Sequence, residues 1–370
     1  MTRELFAVLA LFALVPSLRG QSRPSDPASL AQLLEPLRTQ HGLPALAGAI
    51  VEKGQLVAIG AVGERARGSG VPVTIEDRWH LGSCTKAMTA TVAARLVERG
   101  TLRWELPIGE ALAPWKPKLA EGWSGSTLEL LLAHRGGAPA SPPQPLWSEL
   151  WARGDGSAKA RRWFVGQLLA APPESSPGTR YSYSNQGFTI AGAMLEAASG
   201  REWEALLRRE LFGPLGMASA GFGPPGSAAE IDQPRGHAPG PIAPGPSADN
   251  PPAIGPAGTV HASLGDWAKF AAEHVRGARG ESEYLKKDTW KRLHTPLPGQ
   301  DYALGWIAAE RSWGGGTVLT HSGSNTLWYC TIWLAPSIDS AFLAVTNCAS
   351  EAAPKAVDAA IAAMLGARAK

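Results

Sequence analysis

The chain has 370 residues, of which 44% are hydrophobic and 18% charged, with a formal net charge of +3. Such a composition excludes a disordered or fibrous chain and supplies no basic excess of the kind nucleic-acid binding needs. The length suffices for one large unit or two compact ones with a substantial core.

Residues 1–20, "MTRELFAVLALFALVPSLRG", place Arg3 ahead of an apolar stretch from Leu5 to Val15, with small and polar residues after it. This layout predicts a secretory signal peptide, cleaved after Gly20, and hence a periplasmic or secreted protein. The apolar stretch is short for a bilayer span. Glu4 and the lack of an A-x-A site depart from the pattern, so an uncleaved N-terminal membrane anchor stays open as the alternative. No later segment is apolar for long enough to cross a membrane.

"ALAGAIVEKGQLVAIGAVG" predicts two strands around a turn at Lys53-Gly54. Met88, Val92 and Leu96 recur at helical spacing after Ser83. "STLELLLAHRGGAP" predicts a short helix stopped at Gly136-Gly137, and "QGFTIAGAMLEAASG" a helix ending at Gly200. "EWEALLRRELFGPLGM" predicts a helix broken by Pro214. From Phe222 to Pro256 the chain is dense in Pro and Gly, and a loop of this length inside a compact protein is functional or disordered. "GDWAKFAAEHVRG" is a helix; "GTVLTHSGSN", "LWYCTIWLAP" and "SAFLAVTNC" are strands; "EAAPKAVDAAIAAMLGAR" is a closing helix. Strands at both ends with helices between them predict an α/β (α+β) fold. Its sheet domain is drawn from residues 21–80 and 300–370, with a mainly helical region, 81–299, inserted.

The three cysteines, Cys84, Cys330 and Cys348, fit no metal-ligand spacing. Cys330 and Cys348 lie on two expected strands, which leaves a disulfide between them open. Cys84 reads as a small buried filler on its helix.

Three short patterns carry candidate chemistry. Ser83 and Lys86, in "GSCTK", share one helix face at i, i+3. A serine hydroxyl needs a base to become a nucleophile, and a desolvated lysine can be neutral enough to serve. The free N–H groups of the first helical turn can hold an oxyanion. A capping serine beside a surface lysine would look the same. Tyr183 and Asn185, in "RYSYSNQGF", point the same way if the segment is extended. Tyr could then pass a proton and Asn bind a substrate amide, or Ser184 or Asn185 could simply cap the following helix. His321 and Gly323, in "VLTHSGSN", lie on a strand, where the glycine admits a ligand close to the backbone. Each pattern is weak alone.

In the order Ser-x-x-Lys, Tyr-x-Asn, His-x-Gly, the three patterns resemble the serine β-lactamase and penicillin-binding superfamily, and its class C-related members in particular. "TLELLLAHRGGAP", "PGTRYSYSNQGFTIAGAMLEAASG", "LFGPLGM", "GPAGTVHASLGDWAKFA", "YALGW" and "HSGSN" extend the likeness from about Leu43 to Asn347. The resemblance implies an antiparallel sheet flanked by helices plus an inserted helical domain. It implies a serine hydrolase with Ser83 as acylated nucleophile. Lys86 would be the base for acylation or would hold Tyr183 in its reactive form, and Tyr183 the proton shuttle. Asn185 would orient the acyl side chain, and His321 would stand near Tyr183 and the substrate's carboxylate or leaving group. The oxyanion hole would be the N–H groups of Ser83 and Ser324, the latter just past Gly323. No metal or cofactor is implied. The expected partner is a small-molecule or peptidoglycan-derived peptide substrate, without nucleic acid; the sequence does not give the oligomeric state.

Departures from the pattern bear on the substrate. His321 replaces the lysine of class C β-lactamases, which favours peptidase, amidase or esterase relatives over efficient β-lactamases. Arg135-Gly136 stand where Thr-Ser is usual, and His237 where Tyr is frequent. Leu327-Trp328 replace Gly-Phe, so a bulky ring is expected to narrow the acyl pocket, and the Pro-rich loop to frame the cleft. The other class of function, a non-catalytic protein of the same fold that binds cell-wall peptide or self-assembles, would be expected to lack a catalytic side chain; none is missing here.

Overall fold

A computed structural model describes residues 27–368; the expected signal peptide lies outside them. Helix α1 (Pro27–Gln40) precedes a hairpin of β1 (Ala45–Glu52) and β2 (Gln55–Gly63). The turn places both central residues at positive φ, Lys53 at 50° and Gly54 at 72°, as a two-residue hairpin requires. The non-glycine at 53 is held there by its N–H, which donates to Asp339 O at 2.9 Å. Next come β3 (Arg78–His80), α2 (Thr85–Glu98), α3 (Leu128–Leu132), α4 (Ser157–Leu169) and α5 (Asn185–Ser199). Short β4 (Gly221–Phe222) and β5 (Val260–Ser263) lead into α6 (Leu264–Arg279). Strands β6 (Ile307–Arg311), β7 (Gly316–Ser324), β8 (Tyr329–Ala335) and β9 (Ser340–Thr346) and helix α7 (Ala353–Arg368) complete the chain.

The main sheet has the order β2-β1-β9-β8-β7-β6, antiparallel throughout. Pairing of β1 with β9, Leu46 opposite Thr346, joins the two ends of the sequence. Both faces of this sheet are covered, so its central strands are apolar on alternate and intervening residues alike. On β1, Ala45, Ala47, Ala49 and Val51 face a core shared with α2 and α6, while Leu46 and Ile50 face α1 and α7. On β9, Leu343 and Val345 take the first side and Phe342 and Ala344 the second. Helix α6, from within residues 81–299, packs on β1, β2 and β9. Ser263 caps its N-terminus by accepting from Asp266 N–H, and Gly280 closes it in the left-handed conformation, as helix ends prefer.

The structure refines one expected helix and answers the open question of the cysteines. The helix "EWEALLRRELF" is α-helical only over Trp203–Leu207; beyond that it widens, with Gly213 N–H bonding back five residues to Arg208 O. The helix ends at Phe212, and Pro214 lies in the turn that follows, as expected. The Cys330–Cys348 bridge is not formed: both cysteines are free. They belong to cores on opposite faces of the sheet. Cys330 pairs with Val345 across the strands, and Cys348 lies an odd number of residues beyond, pointing the other way,. The Cys330 sulfur instead sits 3.6 Å from that of buried Cys84.

Candidate active site

Strand β3 delivers the chain into a tight turn, Gly82–Cys84, that runs directly into α2. Gly82 adopts φ +47°, and a Cβ there would lie 2.4 Å from Ser324 N. A Cβ on Gly323 would lie 2.0 Å from Leu81 O and 3.0 Å from Ser83 N. The two glycines therefore allow the end of β7 and the Ser83 turn to meet backbone to backbone. That contact brings the main chain of Ser324 beside the main chain of Ser83.

Lys86 lies one helical turn on and is fully buried. Its Nζ is 3.0 Å from Ser83 Oγ and donates to Asn185 Oδ1 at 2.7 Å and Ala257 O at 2.8 Å. Burial lowers its pKa to about 7, with nearby Cys84 weakly opposing, so the neutral amine is accessible near physiological pH. A neutral amine has two N–H bonds and one lone pair. The Ala257 carbonyl and Asn185 Oδ1 can only accept, so they take the two hydrogens. The lone pair is left for the Ser83 hydroxyl. The capping alternative for this pair does not hold: no side-chain cap bond is made at either end of the turn that precedes α2 or at the start of α2.

Ser184 is the N-cap of α5, accepting from Gly187 N–H at 3.0 Å. Tyr183, just before it, is extended and 36% exposed at the site. Its ring lies with the centroid 4.8 Å from Lys86 Nζ, and its hydroxyl is beside Ser83. Burial raises its pKa, which the neighbouring Ser83 only partly offsets; the group remains a phenol. Asn185 lines a cavity of about 280 Å³ with Gln186, Trp147, Asn250 and the 140–142 segment. Thus Ser83, Lys86, Tyr183 and Asn185 come together as the sequence patterns require.

His321 lies on β7 beside Tyr183, ring centroids 6.4 Å apart, but its polar atoms are turned elsewhere. Its Nδ1 is 2.6 Å from Ser322 O and its Nε2 3.0 Å from the Tyr302 hydroxyl. A carbonyl can only accept, so Nδ1 carries the hydrogen and Nε2 accepts from Tyr302. Burial, reinforced by Lys86, lowers the His321 pKa to about 4. The imidazole is neutral at ordinary pH and both nitrogens are committed.

Sequence reasoning missed three participants. Tyr302 is nineteen residues from His321, with no spacing rule joining them. His134 is buried under the tyrosines, its ring 4.3 Å from that of Tyr183. It brackets Tyr183, accepting from Ser184 N–H through Nδ1 at 3.1 Å and from Ser182 N–H through its carbonyl at 2.8 Å. A backbone carbonyl, Ala257 O, completes the lysine's coordination. Only positive φ at His134, +58°, marks it as special, and a sequence does not display that.

The expected departures also resolve. Trp328 does not narrow the acyl pocket: it is buried in the core, edge-on to Trp79 at 6.2 Å. His237 ties the Pro-rich loop to the sheet domain, donating through Nδ1 to Asn347 O at 2.8 Å and accepting from Arg67 N–H at 3.1 Å. Arg135 donates to Pro298 O and Gly178 O, tying the 135, 178 and 298 segments together. Among the described residues no group of three or more His, Cys, Asp or Glu side chains could hold a metal ion, and no helix is long and apolar enough to cross a membrane.

The Beta-lactamase family model matches residues 30–366. Penicillin-binding protein 4 of Amycolatopsis lactamdurans is 32% identical over 194 residues, 52% of this chain and 49% of that protein. Esterase EstB of Burkholderia gladioli is 28% identical over 207 residues, 53% of each. The chain thus spans about half the length of these curated relatives. Among solved structures, the D-amino acid amidase from Ochrobactrum anthropi SV3 superposes with a TM-score of 0.72 over 92% of this chain and 99% of that one. At 19% identity this likeness shows the fold.

Proposed function

The chain belongs to the Beta-lactamase family, and from that premise we propose that it is a serine hydrolase acting through an acyl-enzyme on an ester or a D-amino-acid amide or peptide. The observation that carries this is the buried Lys86, 3.0 Å from Ser83 Oγ with its other two contacts both acceptors. Neutral Lys86 takes the Ser83 proton as Oγ attacks the substrate carbonyl. The N–H groups of Ser83 and Ser324 hold the oxyanion. Tyr183, kept as a phenol, gives its proton to the leaving group and is reprotonated by Lys86, which carries the proton taken from Ser83. The same two groups then deprotonate the water that releases the acyl chain. Asn185 orients the acyl side chain from the cavity it lines.

A neutral His321 offers no cation to a substrate carboxylate, so neutral esters and amides are favoured over penicillins and free C-terminal peptides. The apolar leader supports export to the periplasm or beyond. The test is a panel of p-nitrophenyl esters, D-amino-acid amides, D-Ala-D-Ala peptides and nitrocefin, run with the enzyme and Ser83→Ala, together with a fluorophosphonate label located by mass spectrometry. Turnover of an ester or amide, its loss in Ser83→Ala, and label on Ser83 are expected. No label on Ser83 and unchanged turnover by Ser83→Ala would contradict the proposal.

A further inference from the structure

The Pro- and Gly-rich segment between Phe222 and Pro256 carries Asp249, whose carboxylate reaches both sides of the Ser83 turn. One oxygen, Oδ2, lies 2.9 Å from His80 Nε2. His80 Nδ1 accepts from Gly82 N–H at 3.1 Å, so Nε2 is the ring nitrogen that carries a hydrogen, on the side of the carboxylate. The other oxygen, Oδ1, accepts from Asn325 Nδ2 at 3.1 Å and from Asn250 N–H at 2.7 Å. Asn325 also donates to Ala248 O and accepts from Leu327 N–H, both at 3.2 Å. His80, Asp249 and Asn325 are all buried.

Gly82 immediately precedes Ser83, and Asn325 immediately follows Ser324. The two arms of the carboxylate therefore end on the neighbours of the two residues assigned the oxyanion. A carboxylate and an imidazole at this depth are costly to desolvate, and apolar side chains could fill the space at no such cost. What such a buried polar cluster adds is one fixed geometry, His80 Nε2 and Asp249 Oδ2 facing each other at 2.9 Å with no other partner.

We propose that Asp249 and His80 are positioning residues that clamp the Ser83 turn and the end of β7 at the separation the oxyanion needs. The inference rests on the acyl-transfer reading of Ser83. It gives the Pro-rich loop a role in catalysis without contact to substrate. Displacing one wall of a transition-state site by about an ångström costs on the order of 100-fold in rate.

The full-length enzyme is compared with Asp249→Asn on p-nitrophenyl butyrate, with Ser83→Ala as reference. An amide at position 249 cannot turn an oxygen to both His80 Nε2 and Asn325 Nδ2, so one arm breaks. In a variant that folds by circular dichroism, kcat falls on the order of 100-fold while KM changes little. The double variant Asp249→Asn/His80→Gln is no slower than Asp249→Asn, because the two residues act as one unit. A folded Asp249→Asn with kcat within about twofold of the parent, or a double variant whose losses multiply, overturns the inference. If Asp249→Asn does not fold, His80→Gln alone decides, by a fall in kcat at steady KM or by none. Full activity in Ser83→Ala overturns the acyl-transfer reading and this inference with it. Loss in Ser83→Ala with full kcat in Asp249→Asn overturns this inference alone.

Discussion

The Nε2 of His321 lies 3.0 Å from the hydroxyl of Tyr302, and that bond decides what His321 is. With Nδ1 against the Ser322 carbonyl, the ring has no free nitrogen and no charge to present. A position where relatives carry a lysine is here neutral. A charge-assisted hydrogen bond is worth about 1.5–3 kcal/mol, so its absence costs an anionic substrate on the order of 10- to 100-fold. We predict that kcat/KM for nitrocefin, which carries a carboxylate, falls below that for a neutral p-nitrophenyl ester by at least this factor. Nitrocefin turnover as fast as the best neutral ester would remove the assignment.

Buried histidines make the fold sensitive to mild acid. Burial lowers the pKa of His321 and of His261 to about 4, and places His274 well below its ordinary value. In each case the folded state resists protonation that the unfolded chain accepts near pH 6.5. Their stabilisation is therefore complete above pH 6.5 and is lost as pH falls toward 4. For His321 and His261 the loss by pH 4.5 is about 2–3 kcal/mol each. The urea midpoint is expected to start falling between pH 6.5 and 5, before carboxylates titrate. A midpoint flat across that interval would contradict the burial argument.

Gly323 has no room for a side chain. A Cβ there would lie 2.0 Å from Leu81 O, so Gly323→Ala must push the end of β7 off the Ser83 turn. We expect kcat to fall on the order of 100-fold or more, with a stability loss of about 1–3 kcal/mol from overpacking. Steady-state kinetics and thermal unfolding read the two effects separately. Near-normal kcat in Gly323→Ala would mean that the approach of the two backbones is not what sets the rate.

The cysteines give a simpler check. Cys84 and Cys330 touch as thiols and Cys348 lies across the sheet. Denatured protein that has seen no reductant should alkylate at all three. Fewer than three modified cysteines would show a disulfide that this packing does not contain.

Much of the site was legible because its chemistry is local. Ser83 and Lys86 are one helical turn apart, and Tyr183 and Asn185 are two residues apart across an N-cap, so each pair is set by backbone periodicity. The strands showed through their apolar runs, and the glycine at the end of α5 through its cap. What stayed hidden depends on contacts between distant segments. Tyr302 on His321, Ala257 O on Lys86 and Asp249 on His80 join residues with no fixed spacing. Trp328 was misjudged for the same reason: its place in sequence, beside the third motif, says nothing about which face of β8 it enters from. The disulfide question stayed open in the sequence because adjacency of strands was readable but register, and with it sheet parity, was not.

The central claim is that Lys86 is the base that activates Ser83, and the pH dependence of kcat/KM for a neutral p-nitrophenyl ester tests it most directly. Burial moves the titratable side chains packed against Lys86 and Tyr183 away from the range between pH 5.5 and 9. His321 titrates near 4 and His134 below its ordinary range, while Tyr183, Tyr302 and Cys84 are all raised. Lys86, at about 7, titrates within this window, and its base form is the neutral one. The predicted profile rises about tenfold per pH unit below 7 and levels off above it, and the limb disappears with the activity in Lys86→Met. A profile flat from pH 5.5 to 9, or a limb that survives unchanged in Lys86→Met, would contradict it.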